Sequence, residues 1–95
     1  MLTVIATIRV NEGAEQRFLA ATGPLIRATR AEAGCSLYEL NRSNTAPGTF
    51  VFYEKWADDA ALERHRATPH LEAFIAAAGG DFAGPLEVEF LTTVA

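Results

Sequence analysis

Few side chains in this sequence of 95 residues are equipped for chemistry: two histidines, one cysteine, one tryptophan and a scatter of carboxylates. His65 and His70 are separated by Pro69 and do not have the i, i+4 spacing that sets two imidazoles on one helix face, so no metal site is expected. Cys35 is the only cysteine, which excludes an internal disulfide and a Cys-rich zinc framework. That usage suits a reducing, cytoplasmic setting. Gly79, Gly80 and Gly84 follow a helical stretch and precede a strand, the reverse of what a nucleotide-binding loop requires. A strand–turn–helix dinucleotide fingerprint is also absent, so nothing supports a Rossmann-bound flavin or nicotinamide.

One constellation remains. Phe52, Glu54 and Trp56 alternate along one strand, and His65 follows on the next helix. His65 reads either as a half-buried histidine bonded to a backbone carbonyl or as a base reaching a pocket between helix and sheet. Trp56 reads as a core residue or as a wall for a flat aromatic ligand. Glu54, a carboxylate between two aromatics, needs an arginine partner or stands as a pocket acid or base. His70 reads as a surface or interface residue, and Cys35 as an inert buried thiol.

The elements that must position these residues follow from periodicity. Leu2 to Val10 alternate apolar and polar, which is a strand, and Asn11-Glu12-Gly13 is a turn in which Asn11 can cap the next helix. Ala14, Phe18, Ala21, Leu25 and Ala28 form a helical stripe, interrupted by Gly23-Pro24, where a kink or a break into two short helices is expected. Gly34 supplies the stop. Cys35 to Arg42 is a weaker strand, Ser43 to Gly48 a hairpin loop, and Phe50 to Trp56 the strongest strand. Asp58 caps a helix that Pro69 ends, and Pro69 opens another with a Leu71, Phe74, Ile75, Ala78 stripe. Leu86 to Val94 is the last strand.

The order is β-α-β-β-α-β in one domain over residues 1–95. The fold class is α+β: a ferredoxin-like, four-stranded antiparallel sheet with helices on one face. Hydrophobic residues make up 49% of the chain, but eighteen of them are alanine, so the core is thin for its length. The bare sheet face would carry Ile5, Thr7, Val51 and Tyr53, too apolar for solvent, and a second copy is the natural cover. The net charge of −4 with scattered basic residues argues against nucleic acid, and no apolar run approaches a membrane span.

The residues also resemble a family. Met1-Leu-Thr-Val-Ile-Ala, Thr29-Arg-Ala-Glu-Ala-Gly-Cys35, Phe52-Tyr-Glu-Lys-Trp56 and Leu62-Glu-Arg-His-Arg-Ala-Thr-Pro-His-Leu71, with Phe74 beyond, resemble the antibiotic biosynthesis monooxygenase (ABM) domain over nearly the whole chain. The variety it is most similar to is the small bacterial quinol monooxygenases. The resemblance implies a homodimeric α/β barrel with a ligand cavity in each subunit, between the sheet and its own helices. It implies oxidation of a quinol or phenolic polyketide by molecular oxygen, without flavin, haem or metal. Trp56 and His65 match recurrent pocket residues, and Phe52 stands where some members are polar. Haem degraders of the family carry an asparagine that corresponds to Ala6 here, a departure that counts against haem. On this reading His65 is catalytic, and Trp56, Phe52, Glu54 and Phe74 bind a small aromatic substrate. Two alternatives stand beside it. One is a small-molecule-binding stress-response dimer without turnover. The other is an isomerase-type enzyme acting on a small polar signal, which would need Arg66 or Arg42 in the cavity.

Overall fold

A computed structural model describes residues 1–95. The chain runs β1 (Leu2–Arg9), α1 (Glu15–Arg30), β2 (Cys35–Arg42), β3 (Thr49–Trp56), α2 (Asp59–Arg66), α3 (Pro69–Ala78) and β4 (Glu87–Thr92), with a 3₁₀ turn at Gly79–Asp81. The four strands form one sheet in the order β2-β3-β1-β4, and every pairing is antiparallel. This is the ferredoxin-like arrangement expected from the element order.

The period-two pattern of β3 decides which side is the interior. Phe50, Phe52, Glu54 and Trp56 are buried, while Val51, Tyr53 and Lys55 on the opposite face are half-buried. Register carries the same division to β1, where Val4 lies opposite Glu54, Ala6 opposite Phe52 and Ile8 opposite Phe50. The helices cover this buried face. Phe18 of α1 packs on Phe50 with ring centres 4.8 Å apart and meets Phe74 of α3 at 6.0 Å.

α1 runs through Pro24 as one helix, where a kink or break was expected. Pro24 and Ala20, whose carbonyl loses its partner, both lie on the exposed side. Water can serve that carbonyl, so the helix continues at small cost. The buried face is Ala14, Phe18, Thr22, Leu25 and Thr29, turned from the expected stripe by about one residue toward two threonines. The Thr22 hydroxyl settles its burial by donating to the Leu19 carbonyl at 2.7 Å. Asn11 does not cap α1 with its side chain; it offers its carbonyl to the Ala14 amide instead.

The second helical segment follows expectation. The Asp58 carboxylate accepts the Ala61 amide at 2.9 Å, and the Thr68 hydroxyl accepts the Leu71 amide at 3.3 Å just before Pro69. The turn between α1 and β2 is pressed against α2 at Gly34. Its φ is +88°, and a Cβ there would stand 2.6 Å from the Ala61 Cβ. β4 is exposed along its whole length, and Phe90 keeps 51% of its surface open. No helix is long and apolar enough to cross a membrane.

Gly13 has a similar φ of +85° but open space around it, so the two glycines separate backbone strain from collision. Gly13→Ala should cost about 1–2 kcal/mol. Gly34→Ala should cost more, by roughly 1–3 kcal/mol for the added clash. Urea denaturation of both variants checks this, and equal losses would contradict the tight approach of the turn to α2.

Candidate active site

A cavity of about 160 Å³ opens between the sheet and its own helices. Its floor is Val4, Ala6 and Ile8 of β1 with Phe52 of β3, and its walls include Leu62, Phe74 and Phe82. Ala6 sits on the central pair of strands opposite Phe52 and Val88, and its single methyl leaves room above the sheet. Most of the lining is hydrophobic, and the charged or titratable exceptions are Glu54, His65, Arg66 and Tyr38.

Four of the expected site residues, Phe52, Glu54, His65 and Phe74, line this cavity. Trp56 does not. It is fully enclosed behind the lining, so its expected place as a wall is corrected to that of a support. The reason is its position at the end of β3, where the turn before Asp58 and helix α2 close over it. From there it braces both polar residues. Its indole N–H donates to Glu54 Oε1 at 3.0 Å, and its rings lie 4.7 Å from the His65 ring.

Glu54 therefore has neither the arginine partner nor the solvent that a carboxylate usually takes. Burial pushes its pKa up to about 7, against the opposing pull of the Trp56 N–H and the charge of Arg66. One oxygen is held by Trp56; the other has no hydrogen bond and is not sealed off, which places it on the cavity that Glu54 lines. At neutral pH the residue stands near the balance between proton donor and proton acceptor.

Of the two readings of His65, the bond to a backbone carbonyl is not made; the ring is bonded to a carboxylate instead. Its Nδ1 lies 2.7 Å from Glu32 Oε2, in the turn after α1. The same oxygen meets His70 Nε2 at 2.6 Å. His70 is thus tied into the site, not left as a surface residue. These spacings fit hydrogen bonds better than a cation cage, in which two ligands at tetrahedral zinc stand about 3.3 Å apart. Burial lowers the pKa of His65 despite Glu32, and His70 and Arg66 add to the lowering, so the ring is neutral at pH 7.

Two residues of the site were not singled out from sequence. Glu32 was quoted within the Thr29–Cys35 motif but given no role, and its separation of 33 residues from His65 hides the contact. Tyr38 is buried on β2 with its ring 5.6 Å from His65. Burial raises its phenol well above the usual tyrosine range, so it stays protonated. Arg66 lies at the rim, bonded to Glu63 at 2.9 Å with its guanidinium 5.4 Å over Phe90, whereas Arg42 lies outside the cavity and pairs with Glu15. Cys35 is half-buried, and desolvation raises its thiol pKa.

The geometry meets known proteins at this point. Residues 1–77 match the family described as antibiotic biosynthesis monooxygenase. The chain is 34% identical to "Putative monooxygenase YcnE" of Bacillus subtilis over 88 residues that make up 93% of each chain. It is also 34% identical over 91 residues to "Probable quinol monooxygenase YgiN" of Escherichia coli, with 85% of this chain and 88% of that one covered. A crystal structure described as an antibiotic biosynthesis monooxygenase superposes over the full length of both chains, with a TM-score of 0.94 at 33% identity. The chain belongs to the antibiotic biosynthesis monooxygenase family.

The pKa of Glu54 makes stability depend on pH. The folded chain holds this proton up to about 7, whereas the unfolded chain releases it near 4.5. Between those values the unfolded state binds fewer protons, so raising the pH favours unfolding. His65 acts oppositely, because its depressed pKa costs stability as pH falls through the ordinary value of 6.5. Comparison with Glu54→Gln cancels the His65 contribution. The stability of the wild type minus that of Glu54→Gln should fall between about pH 4.5 and 7 and then level off. Urea titrations across that range test it, and a flat difference would mean that Glu54 is ionised in the fold.

Proposed function

We propose that this chain is a monooxygenase that oxidises a quinol or related phenol with molecular oxygen and without flavin, haem or metal, with His65 as the proton acceptor. The observation that carries this reading is the cavity itself: apolar walls around two polar side chains, Glu54 and His65, that share one support in Trp56. The relatives named as monooxygenases, one of them for quinols, support the reaction class.

The chemistry asks little of the protein. A phenol that has lost its proton is electron-rich enough to pass an electron to oxygen directly. For a hydroquinone, one oxygen atom enters the ring and the other leaves as water, giving a hydroxyquinone, and the substrate supplies all the electrons. The protein must orient the ring, keep water away and take the phenolic proton. Phe52 and Phe74 offer the apolar contact, and neutral His65 offers the base. Protonated Glu54 can donate a hydrogen bond to a neighbouring oxygen. A cavity of about 150 Å³ is known to take one benzene ring. The similar volume here favours a single substituted ring over a fused polyketide.

The proposed enzyme is a homodimer. Half-buried Ile5, Val51 and Tyr53 with exposed Leu91 on one face of the sheet, and exposed Val88 and Phe90 on the other side of β4, are apolar surface that a second copy can cover. Light scattering should report twice the 10.2 kDa chain mass. Monomers at micromolar concentration would remove this part of the proposal.

Oxygen uptake on a panel of monocyclic hydroquinones, naphthohydroquinones and anthrones, with no added cofactor, tests the reaction. Turnover should be highest on the single-ring substrates, and His65→Ala should lower kcat/KM by about 10²–10⁴-fold. Quinone binding in a thermal-shift assay with no oxygen consumed would favour the non-catalytic binding dimer instead.

A further inference from the structure

The turn after α1 places one carboxylate against two imidazoles, and nothing in the proposed reaction yet uses it. Glu32 Oε2 lies 2.7 Å from His65 Nδ1 and 2.6 Å from His70 Nε2. The side chains of Glu32 and His65 keep only 12% and 5% of their surface, so neither group is free to swing into solvent. A carboxylate oxygen only accepts, so at these distances each imidazole nitrogen must donate to it. A neutral histidine with its proton on Nδ1 has a lone pair on Nε2. That second nitrogen makes no hydrogen bond and is not sealed from space, and His65 lines the cavity.

We propose that Glu32 is the positioning residue of the site: it fixes His65 in the Nδ1–H tautomer, with the Nε2 lone pair presented to the substrate. The inference rests on the reading of His65 as the proton acceptor. When Nε2 takes the phenolic proton, the ring becomes an imidazolium that is still bonded through Nδ1–H to the Glu32 carboxylate. The carboxylate orients the base and stabilises its charged form without taking the proton itself. His70 holds the same oxygen from α3 and keeps the carboxylate aimed at His65. The other groups facing the ring cannot substitute: Tyr38 on β2 and Trp56 on β3 meet it through their aromatic rings, Glu54 is bonded to Trp56, and Arg66 on α2 carries the wrong charge. Gly34, two residues beyond Glu32, permits the close approach to Ala61 that brings the turn to this helix.

Long-range proton–nitrogen NMR on the full chain reads the tautomer directly and needs no substrate. His65 should show a protonated Nδ1 and an unprotonated Nε2, and His70 a protonated Nε2. Glu32→Gln keeps an acceptor oxygen but removes the charge, so the Nδ1–H form should persist while the His65 titration moves to lower pH. Glu32→Ala should lose the tautomer preference. On hydroquinones, Glu32→Gln should lower kcat by about 10²-fold with KM nearly unchanged and shift the acid limb of the pH profile. An Nε2–H tautomer in the wild type, an unchanged tautomer in folded Glu32→Ala, or wild-type kcat and pH profile in Glu32→Gln would each overturn the assignment. A wild type with the expected tautomers that oxidises no quinol would instead overturn the proposed reaction and leave the role of Glu32 in place.

Discussion

Trp56 is the fixed point of the molecule. Its side chain is enclosed, its single N–H is committed to Glu54, and its face lies against His65. An indole buried without a partner for that N–H would cost the fold the desolvation of the group. Glu54 supplies the partner, but a carboxylate in that place is itself poorly solvated. The conflict is resolved by raising its proton affinity instead of by pairing it with a cation. The packing demand at the end of β3 thereby creates a proton-bearing group at neutral pH inside an apolar cavity. Structure and chemistry are coupled at one hydrogen bond.

The second constraint is long-range. α2 must lie close enough to the sheet for His65 to stack on Trp56, and the turn carrying Glu32 must lie close enough to α2 to reach the His65 ring. Gly34 makes that possible, since any side chain there would collide with Ala61. Asp58 caps the start of α2 and Thr68 the start of α3, so α2 is held short and His70, in the first turn of α3, meets Glu32. The carboxylate is stabilised by two imidazoles from successive helices, and each imidazole is oriented in return. Mutual constraint of this kind fixes rotamers that a single contact would leave loose.

Much of this was legible in the residues because it is local. The period of two in β3 shows which face Phe52, Glu54 and Trp56 share, and the Thr-Pro pair shows where one helix ends and the next begins. The cavity residues on β3, α2 and α3 follow from those patterns. Contacts between distant residues did not follow. Glu32 is 33 residues from His65 and 38 from His70, and no periodicity links them. Tyr38 was obscured by β2, whose pairing with β3 shifts between Cys35 and Leu37, so its alternation cannot be counted from the strand start. The inward face of α1 was misjudged by about one residue because alanine suits either side of a helix, whereas Thr22 and Thr29 look polar until their burial is seen. The place of Trp56 could not be told from its type, since a wall and a support draw on the same aromatic ring.

One alanine connects the core to the site. Among the alanines only Ala6, in the middle of the sheet, lines the cavity, and a side chain that stops at Cβ leaves the space above it unfilled. Small apolar voids normally cost stability through lost contacts. Here the void is bordered by residues that one chain leaves open, Ile75, Leu86 and Val88 among them. Those side chains lie on or beside β4 and α3. The polar end of the cavity, at Glu54 and His65, is therefore buried within one chain, while its apolar end opens beside β4. In the proposed dimer, the copy that covers β4 would also help to dry the site. Association would then bear on water exclusion, and orientation of the base would remain a property of the single fold.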